Sequence, residues 1–554
     1  MLLGWNLNGY RLFDPDEGRN AEVAREMAHS NDYVVPHLNG LPYLDKPIVY
    51  FAAAAAAMEL LGPTEAAARL PAYLATLATV ALLVWFARRR WGERGGWIAG
   101  LAYATMVLPL AYARTAIFDS TLTLCTTAAI LSFWDDRPVL AWGAMAAGVL
   151  TKGPIALAIP LLALVAHAFL TGTSVRSLFP WRGLALFGAI VLPWFLAVSI
   201  AHPDFPRYVF LRETLERVTT TRFHRTAPFW YYLPIVPVAA FPWIVPALAR
   251  VKHWRETWNA RLDDAAREPL LLACWVLVPL LFLSLNQSKL PQYALPLMPA
   301  VTLAATRNLV AGGPATGARA YIAVAAIVGL ALVALTHWLP APISLTPEEK
   351  SAIPPTAVAL GVVVLCSAIL VGLGAYARDA AGRKAIAGYA LVVMTIPLLS
   401  QRLLAAVGED RSSAPVASAT AAALAHAGDS ATVLGVLAYP PSLPFYLGRP
   451  IAVATETGQE LTSNYIADNQ IRFRDYPASP LLPAGYWREV LVRCPVPTVF
   501  VTTANYREAR AALDASLPLL AADNHYAAYG PCRPRGVSQP AKPPQPPRGG
   551  GAVR

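Results

Sequence analysis

Long apolar stretches separated by short polar loops occupy most of the chain between Leu70 and Leu404, and they restrict its fold more than any motif does. Hydrophobic residues make up 56% of the 554 residues and charged residues only 14%, whereas soluble domains contain about 25% charged residues. An α-helix needs about 20 mainly apolar residues to cross a bilayer. The sequence therefore predicts an all-α polytopic membrane protein.

The apolar stretches divide into twelve candidate spans, several of them shorter than a perpendicular crossing requires. The region between Asp14 and Pro47 is too polar to cross, and Ile48–Leu61 is predicted to be a re-entrant or surface helix. The candidate spans are Leu70–Ala87, Trp97–Ala113, Ser120–Trp134, Val139–Leu150, Ile155–Leu170, Leu184–Ala201, Trp230–Ala249, Leu270–Leu285, Ala294–Thr306, Tyr321–Leu339, Ala357–Tyr376 and Ala385–Leu404.

Basic loops predict which side of the membrane each span end faces. Lys and Arg concentrate on the cytoplasmic side of membrane proteins, and alternate spans separate the basic loops of this chain. The net charge of +11 therefore indicates topology, and we expect no nucleic-acid partner. The loops predicted to be cytoplasmic are Arg88–Arg94, Arg176–Arg182, Arg250–Arg267, Arg307–Arg319 and Arg378–Lys384.

The opposite, outer face gathers charged and polar residues that do not look like topological anchors. A charged group at the membrane surface is partly removed from water, which strengthens its interaction with a phosphate. This face therefore suits an anionic, lipid-linked substrate. Its residues are Asp16, Glu17, Lys46, Arg114, Asp119, Lys152, Arg222, His224 and Lys289.

Each of these residues also has a structural interpretation. Asp16 and Asp119 stand at predicted helix starts, where a carboxylate caps the backbone or interacts favourably with the helix dipole. Lys152 and Lys289 lie at span ends, where a lysine often extends its ammonium group to the interface. The segment that follows Asp14 reads as a charged helix lying on the membrane face, with its charges in water.

The chain changes character after residue 412. Ala431–Leu437 and Thr498–Thr503 read as short buried strands, and Asn505–Leu517 reads as an amphipathic helix. Cys494 and Cys532 can pair as a disulfide if this part lies outside the cytoplasm. The predicted organisation is a first-loop region (1–69), a transmembrane bundle (70–405), a small extracytoplasmic α/β domain (412–531) and a disordered tail (536–554).

Eight short motifs follow one another through the first part of the chain. They are Asp16–Met27, Val35–Gly40, Tyr43–Pro47, Arg69–Pro71, Thr151–Pro154, His224–Tyr232, Pro242–Trp243 and Ser288–Tyr293. Each is weak alone, but in this order they resemble the ArnT-like glycosyltransferases, relatives of the protein O-mannosyltransferases with the integral-membrane GT-C fold. The resemblance is strong over roughly residues 14–305 and lies only in the architecture beyond them.

The resemblance implies an inverting transfer of a sugar from a polyprenyl phosphate to an acceptor at the outer face of the bacterial inner membrane. In the ArnT type the sugar is 4-amino-4-deoxy-L-arabinose carried by undecaprenyl phosphate, and the acceptor is lipid A. We therefore expect these partners, together with the lipid bilayer. The resemblance makes no cofactor certain and leaves open a divalent metal ion, since family members have been seen with one near the first-loop helix.

The same motifs imply roles for individual residues. Asp16 matches the acidic residue of the family's first loop, and Asp119 matches a second aspartate at a span start. Tyr43 and Lys46 match a motif near the donor phosphate, and Lys152 matches the lysine of a Lys-Gly-Pro loop. The predicted site comprises Asp16, Glu17 and Asp119 as catalytic residues, Tyr43, Lys46, Arg114, Lys152 and Lys289 around the donor phosphate, and Arg19, His224 and Tyr293 around the rest of the substrate.

Two departures from the family pattern leave alternatives open. The family has a complete first span before the acidic pair, and this chain has only Met1–Phe13 there, so we expect a start codon assigned too late and a total of 12–13 spans. The loop from Asp204 to His224 is short, which leaves open a paralogue that carries another sugar to another envelope glycan or protein.

A lipid or sugar-phosphate transporter is the alternative from another functional class. Transporters carry ionisable residues or broken helices near mid-membrane. The charges of this chain cluster instead at span ends, and stretches such as Ala357–Tyr376 contain none. The sequence therefore favours an enzyme that works at the membrane surface.

Overall fold

A computed structural model describes residues 2–4, 6–216, 227–313, 316–334, 336, 346–376 and 383–533. Helices dominate the described residues, and a six-stranded sheet lies in the C-terminal part. The predicted fold class, a helical membrane protein with a small C-terminal α/β region, is confirmed.

The first-loop region is packed inside the molecule. Its elements are helix α1 (Asp16–Ser30), the hairpin of β1 (His37–Leu38) and β2 (Leu41–Pro42), and helix α2 (Val49–Leu61). Most residues of α1 are buried, Glu22 and Glu26 among them. The interpretation that its charges lie in water is therefore wrong for Glu22 and Glu26, because the C-terminal region covers α1. Gly18 permits the close approach, since a Cβ there would lie 2.6 Å from the Ser442 backbone nitrogen.

The first two predicted spans form a helical hairpin. The helical run α3 (Glu65–Ala104) has non-helical backbone angles at Trp91 and Gly92, with φ of 73° at Gly92. A Cβ at Gly100 would lie 2.6 Å from Val84, whereas in a straight helix these two residues would be about 24 Å apart along the axis. The run therefore folds back within the basic loop that the sequence predicts.

Most other predicted spans coincide with helices. In chain order, they lie between the first-loop region and the C-terminal region. These helices are α4 (Val107–Tyr112), α5 (Asp119–Trp134), α6 (Pro138–Lys152), α7 (Ile155–Thr171), α8 (Trp181–Ala201), and then Asp264–Leu285, Met298–Gly312, Ala318–Ala334 and Pro347–Tyr376.

Two predicted spans are bent pairs of helices. The segments Phe229–Ala239 and Ile244–Asn259 meet at 112°. Pro242 lies in this break and lacks the N–H group that a continuing helix would need. The helices Arg383–Leu399 and Gln401–Asp410 meet at 48°.

The number of membrane crossings stays a prediction. Among the described residues, five helices are long and apolar enough to cross, or up to seven if each bent pair is one span. Helix α6 has 15 residues, a length of about 22 Å, and the hydrocarbon core is about 30 Å thick. Helices of this kind pack among their neighbours in the bundle without meeting the length of a perpendicular span.

The C-terminal region is built on a mixed sheet in the order β5-β4-β3-β6-β8-β7. The first four strands are parallel, and the last two pair antiparallel. The predicted disulfide between Cys494 and Cys532 is present. The strands are β3 (Thr432–Val436), β4 (Ala452–Thr455), β5 (Leu481–Pro483), β6 (Thr498–Thr503), β7 (Leu519–Ala522) and β8 (Tyr526–Tyr529), with helices Ala414–Ala427, Leu443–Leu447, Asn464–Asp468, Gln470–Arg474, Tyr486–Arg493 and Arg507–Ser516.

One apolar core joins the C-terminal region to the first loop. Val23 and Met27 of α1 pack in the same buried cluster as Tyr439 and Phe445 from the C-terminal region. Burial of such side chains contributes roughly 1.5–3 kcal/mol each. The packing therefore fixes α1 between the bundle and the C-terminal region.

Candidate active site

A cavity of about 790 Å³ opens where α1, the start of α5 and the end of α6 meet the C-terminal region. The first-loop segment between β2 and α2 forms another part of its wall. Most of the side chains that line it are polar. They include Asp16, Arg19, Asn20, Tyr43, Asp45, Lys46, Asp119, Lys152, Arg212, Gln292, Tyr293, Thr457, Gln459, Thr462, Ser463, Asn464, Asp468 and Gln470.

Helix α1 supplies an ion pair to this cavity. The Arg19 guanidinium donates to Asp16 Oδ1 at 2.6 Å, one turn away on the same helix. It also donates to the Thr462 carbonyl at 3.0 Å and to the Thr462 hydroxyl at 3.1 Å. Burial disfavours the charge of Arg19, but Tyr43, Asp16 and Asp45 outweigh it and raise its pKa above the ordinary value. Arg19 is therefore a fixed cation beside a carboxylate that is 32% exposed.

A second ion pair lies deeper, between two neighbouring helices. Lys152 at the end of α6 donates to Asp119 Oδ1 at the start of α5. The Lys152 ammonium also lies 4.8 Å from the centre of the Tyr293 ring, a cation–π contact. The Asp119 side chain is only 4% exposed. The three residues, predicted from separate motifs, thus form one contiguous group on the cavity wall.

The segment Tyr43–Lys46 closes another side of the cavity. The Lys46 ammonium donates to the Asp45 carbonyl at 2.6 Å, and Tyr43 is buried, with 1% of its surface exposed. The Asp45 carboxylate accepts from the Tyr208 hydroxyl and from the Asn464 and Tyr465 backbone N–H groups. Asp45 stands in a motif that the sequence singles out, but it is absent from the predicted site residues.

The structure adds Arg212 and Asp468, which form an ion pair and both line the cavity. Arg212 lies in the segment that follows α8, which the sequence assigns to the outer face. Its charge on that face is the sequence feature that could have identified it as a site residue. Asp468 and Thr462 lie more than 400 residues from α1, and their sequence surroundings carry no sign of a site. Residues distant in sequence therefore complete the cavity.

Glu17 points away from the cavity, although it follows Asp16 directly. Its carboxylate accepts two hydrogen bonds from Arg69, both at 2.9 Å. It also accepts from the backbone N–H groups of Phe13 at 3.0 Å and Ala116 at 2.7 Å. Glu17 and Arg69 have side-chain exposures of 1% and 0%. This pair ties three parts of the chain together inside the protein.

Two predicted phosphate ligands also lie outside the cavity lining. The Arg114 guanidinium lies 5.8 Å from the centre of the Tyr10 ring. The Lys289 ammonium donates to the backbone carbonyls of Asn286 and Ala227. His224, predicted to contact the substrate, lies outside the described residues.

The described residues do not fit the divalent metal ion that the family resemblance allows. No group of three or more His, Cys, Asp or Glu side chains among them is arranged to hold a metal. Near α1, Glu22 pairs with Arg25, and Glu26 accepts from the backbone N–H groups of Asn39 and Gly40. The carboxylate oxygens of Glu22 and Glu26 are thus engaged by groups of the protein.

A helical membrane bundle whose charged cavity is closed by a C-terminal α/β region is the architecture expected of the GT-C class. A family model described as dolichyl-phosphate-mannose-protein mannosyltransferase matches residues 45–196. The crystal structure of ArnT from Cupriavidus metallidurans bound to undecaprenyl phosphate is similar over 97% of each chain, with a TM-score of 0.78 and 25% identity. Its apo state gives a TM-score of 0.76 at 24% identity.

Curated proteins give the same relationship. The undecaprenyl phosphate-α-4-amino-4-deoxy-L-arabinose arabinosyl transferase of Edwardsiella ictaluri is 36% identical over 306 residues, 52% of this chain and 54% of that protein. The protein of the same name from Aeromonas salmonicida is 35% identical over 301 residues, 51% of this chain and 54% of that protein. The chain thus spans about half the length of the curated relatives it matches. It is ArnT-like in sequence and in fold, and the predicted resemblance is confirmed.

Proposed function

We propose that this protein transfers 4-amino-4-deoxy-L-arabinose from undecaprenyl phosphate to lipid A. The names of the curated relatives support the sugar and its carrier. The bound undecaprenyl phosphate in the similar ArnT crystal structure supports the donor. The reaction would take place at the outer, periplasmic face of the bacterial inner membrane, the side on which the basic loops do not lie.

The observation that carries this proposal is the meeting of two carboxylate–cation pairs and Lys46 in one cavity at the ends of bundle helices. A lipid-linked phosphate needs cations held in place and partly removed from water. A carboxylate in the same cavity can accept the proton of a hydroxyl acceptor or hold the ammonium group of the amino sugar. The cavity offers both, beside helices that keep the polyprenyl chain in the bilayer.

The transfer is a single displacement at the anomeric carbon. The bond from the acceptor oxygen to this carbon forms while the bond from the carbon to the donor phosphate oxygen breaks. Undecaprenyl phosphate leaves with the bonding electron pair, and Lys46 and Lys152 stabilise the negative charge that develops on it. A phosphate acceptor is already ionised, whereas a hydroxyl acceptor gives its proton to a carboxylate of the site.

Exposure decides between the two carboxylates. The Asp16 side chain is 32% exposed, against 4% for Asp119. Asp16 is therefore the carboxylate that reaches the acceptor or the ammonium group of the amino sugar. Asp119 instead holds Lys152 in position through their direct hydrogen bond. Arg19 holds the Asp16 carboxylate at the cavity wall through their hydrogen bond.

The positions of the remaining predicted residues lead us to propose different roles for them. Glu17 is a structural partner of Arg69, because all of its hydrogen bonds go to buried protein groups. Arg114 and Lys289 do not line the cavity. We therefore assign them to the support of the site and not to contact with the donor phosphate.

A second candidate uses the same chemistry with another sugar or acceptor. The family model that matches residues 45–196 describes mannosyl transfer from dolichyl phosphate to protein. The sequence similarity to the arabinosyl transferases covers only about half of the chain. If lipid A is not the acceptor, an envelope glycan or an envelope protein is therefore the next acceptor to test.

Mass spectrometry of lipid A tests the proposal. The strain that lacks this gene should lose the aminoarabinose-modified species, and wild-type protein should restore them. Asp16→Ala should fail to restore them although it accumulates in the membrane normally. Lipid A that is identical with and without the gene would refute this acceptor, and the same extracts would then be searched for other modified envelope glycans and proteins.

A further inference from the structure

One short segment of the C-terminal region, residues 462–468, holds three separate parts of the cavity wall. Thr462 accepts two hydrogen bonds from Arg19 of α1. Asp468 forms an ion pair with Arg212, in the loop that follows α8. Between these two contacts, the backbone of the segment donates to Asp45. The C-terminal region is therefore built into the wall and does not merely cover the opening.

Asp45 is the centre of this arrangement. Its Oδ1 accepts from the Tyr208 hydroxyl and from the Tyr465 backbone N–H at 2.9 Å, and its Oδ2 accepts from the Asn464 backbone N–H at 3.1 Å. Asn464 and Tyr465 begin the helix Asn464–Asp468, and the first N–H groups of a helix have no acceptor within it. With only 8% of its surface exposed, Asp45 is a buried carboxylate with a full set of partners.

The backbone of Asp45 determines where Lys46 lies. Lys46 is its neighbour in the chain, and the Lys46 ammonium also donates to the Asp45 carbonyl. The hydrogen bonds to its carboxylate hold Asp45 in place, and the Asp45 carbonyl in turn accepts from the Lys46 ammonium. A shift of Asp45 would therefore move the Lys46 ammonium within the cavity, and misplacement by about 1 Å can cost a hundredfold in rate.

We propose that Asp45 is a positioning residue that uses the C-terminal region to hold Lys46 against the donor phosphate. This inference rests on the proposed function, since it takes a polyprenyl phosphate as the ligand of Lys46. It assigns the C-terminal region a specific part in the reaction: the helix Asn464–Asp468 must be docked for the donor to bind well. Asp45 itself does not touch the reacting atoms.

The test compares donor binding and stability in the full-length protein. Undecaprenyl phosphate is titrated into purified protein in lipid nanodiscs, and its Kd is measured beside the melting temperature. Asp45→Asn keeps the size of the side chain but places an amide N–H₂ against N–H donors. We expect its Kd to rise about ten- to a hundredfold, as the loss of hydrogen bonds to a charged group implies. Asp429→Asn, at an exposed site of the same region, is the matched control and should bind like wild type.

A milder variant covers the case in which Asp45→Asn does not fold. Tyr208→Phe removes one of the three donors and leaves the carboxylate in place, so the Kd should rise severalfold. The two substitutions combined should raise it by less than the product of their separate effects, because they disturb the same network.

The outcomes separate this inference from the proposed function. If wild type does not bind undecaprenyl phosphate at all, the proposed function fails. If wild type binds and both variants bind equally tightly, even at a lower melting temperature, then Asp45 is only structural and this inference is overturned. A raised Kd for Asp45→Asn and Tyr208→Phe, with an unchanged Kd for Asp429→Asn, supports it.

Discussion

The two faces of helix α1 use the same residue types for opposite purposes. On the cavity face, Asp16 pairs with Arg19 and remains open to a ligand. On the interior face, Glu17 pairs with Arg69, and neither side chain is exposed by more than 1%. The first pair lines the cavity, whereas the second joins the first loop to α3.

This difference shows that exposure to the cavity, and not the presence of an ion pair, distinguishes the two carboxylates. Glu17 accepts four hydrogen bonds from protein groups. Such a carboxylate has no oxygen lone pair directed at a substrate. Substitutions in these two pairs should have larger effects than substitutions of other charged residues in the first-loop region.

Asp16→Asn should lower turnover by about 10²-fold, the usual cost of misplacing the reacting groups. The amide can still accept from Arg19, so the melting temperature should change little. The measurement is sugar transfer by purified protein from undecaprenyl phosphate-aminoarabinose, with stability followed in parallel. Wild-type turnover in this variant would remove Asp16 from the mechanism.

Arg69→Met should destabilise the protein by about 3–5 kcal/mol, because it leaves the Glu17 carboxylate buried without its counter-ion. The readout is the melting temperature together with the amount of protein recovered from membranes. Adding Glu17→Gln to this variant should recover part of the loss, since no buried charge then remains. A single variant as stable as wild type would contradict the structural role of the pair.

Asp14 should make stability depend on pH. Burial raises the pKa of Asp14 to about 7, against the opposing effect of its hydrogen bond from Ser442. The folded state therefore holds a proton that the unfolded state releases, so this residue's contribution to stability falls as pH rises from about 4 to about 7. Asp14→Asn should flatten the decline by a few kcal/mol, on the order set by 1.36 kcal/mol per pKa unit.

Glu26 provides the control for this pH effect. Burial and the neighbouring Glu22 raise its pKa to about 8, so part of the decline should continue in Asp14→Asn up to that pH. Melting temperatures measured from pH 5 to pH 9 distinguish the two contributions. Identical curves for wild type and Asp14→Asn would show that Asp14 has no raised pKa.

Arg11→Ala should have the smallest effect. Arg11 lies 3.4 Å from Glu65 and from Glu409, and its side chain is 47% exposed. Exposed pairs of this kind contribute about 0–1 kcal/mol. The melting temperature should move by no more than a degree or two, and a loss as large as that of Arg69→Met would show that exposure does not govern the contrast.

Much of the fold could be predicted from the sequence, because the length of an apolar stretch and the charge of a loop are properties of short segments. The helices α5, α6 and α7 begin within a residue or two of the predicted spans, and the turn at Trp91 and Gly92 lies in the predicted basic loop. The bends in two of the predicted spans could not be predicted, since hydropathy shows which residues are apolar and not the direction of the helix axis. The burial of α1 was not predicted, because charged side chains usually remain in contact with water.

The site was predictable only in its residue types. Asp16, Lys46, Asp119, Lys152 and Tyr293 lie around one cavity, as their motifs indicate. Arg114 and Lys289 share the same signals, charge on the outer face near a span end, yet they point elsewhere. Nothing in the sequence near residues 457–470 signals that this segment completes the cavity.

The sequence by itself determined a membrane-embedded helical chain with carboxylates and cations gathered on one side, because hydropathy and charge are properties of each segment alone. Only the tertiary structure decided that Asp16 is open and Glu17 is closed. The side chains of consecutive helical residues point about 100° apart. Which of the two directions is buried depends on segments that are distant in the sequence. The hydrogen bond from Arg19 to Thr462 spans 443 residues, a distance over which local sequence carries no information.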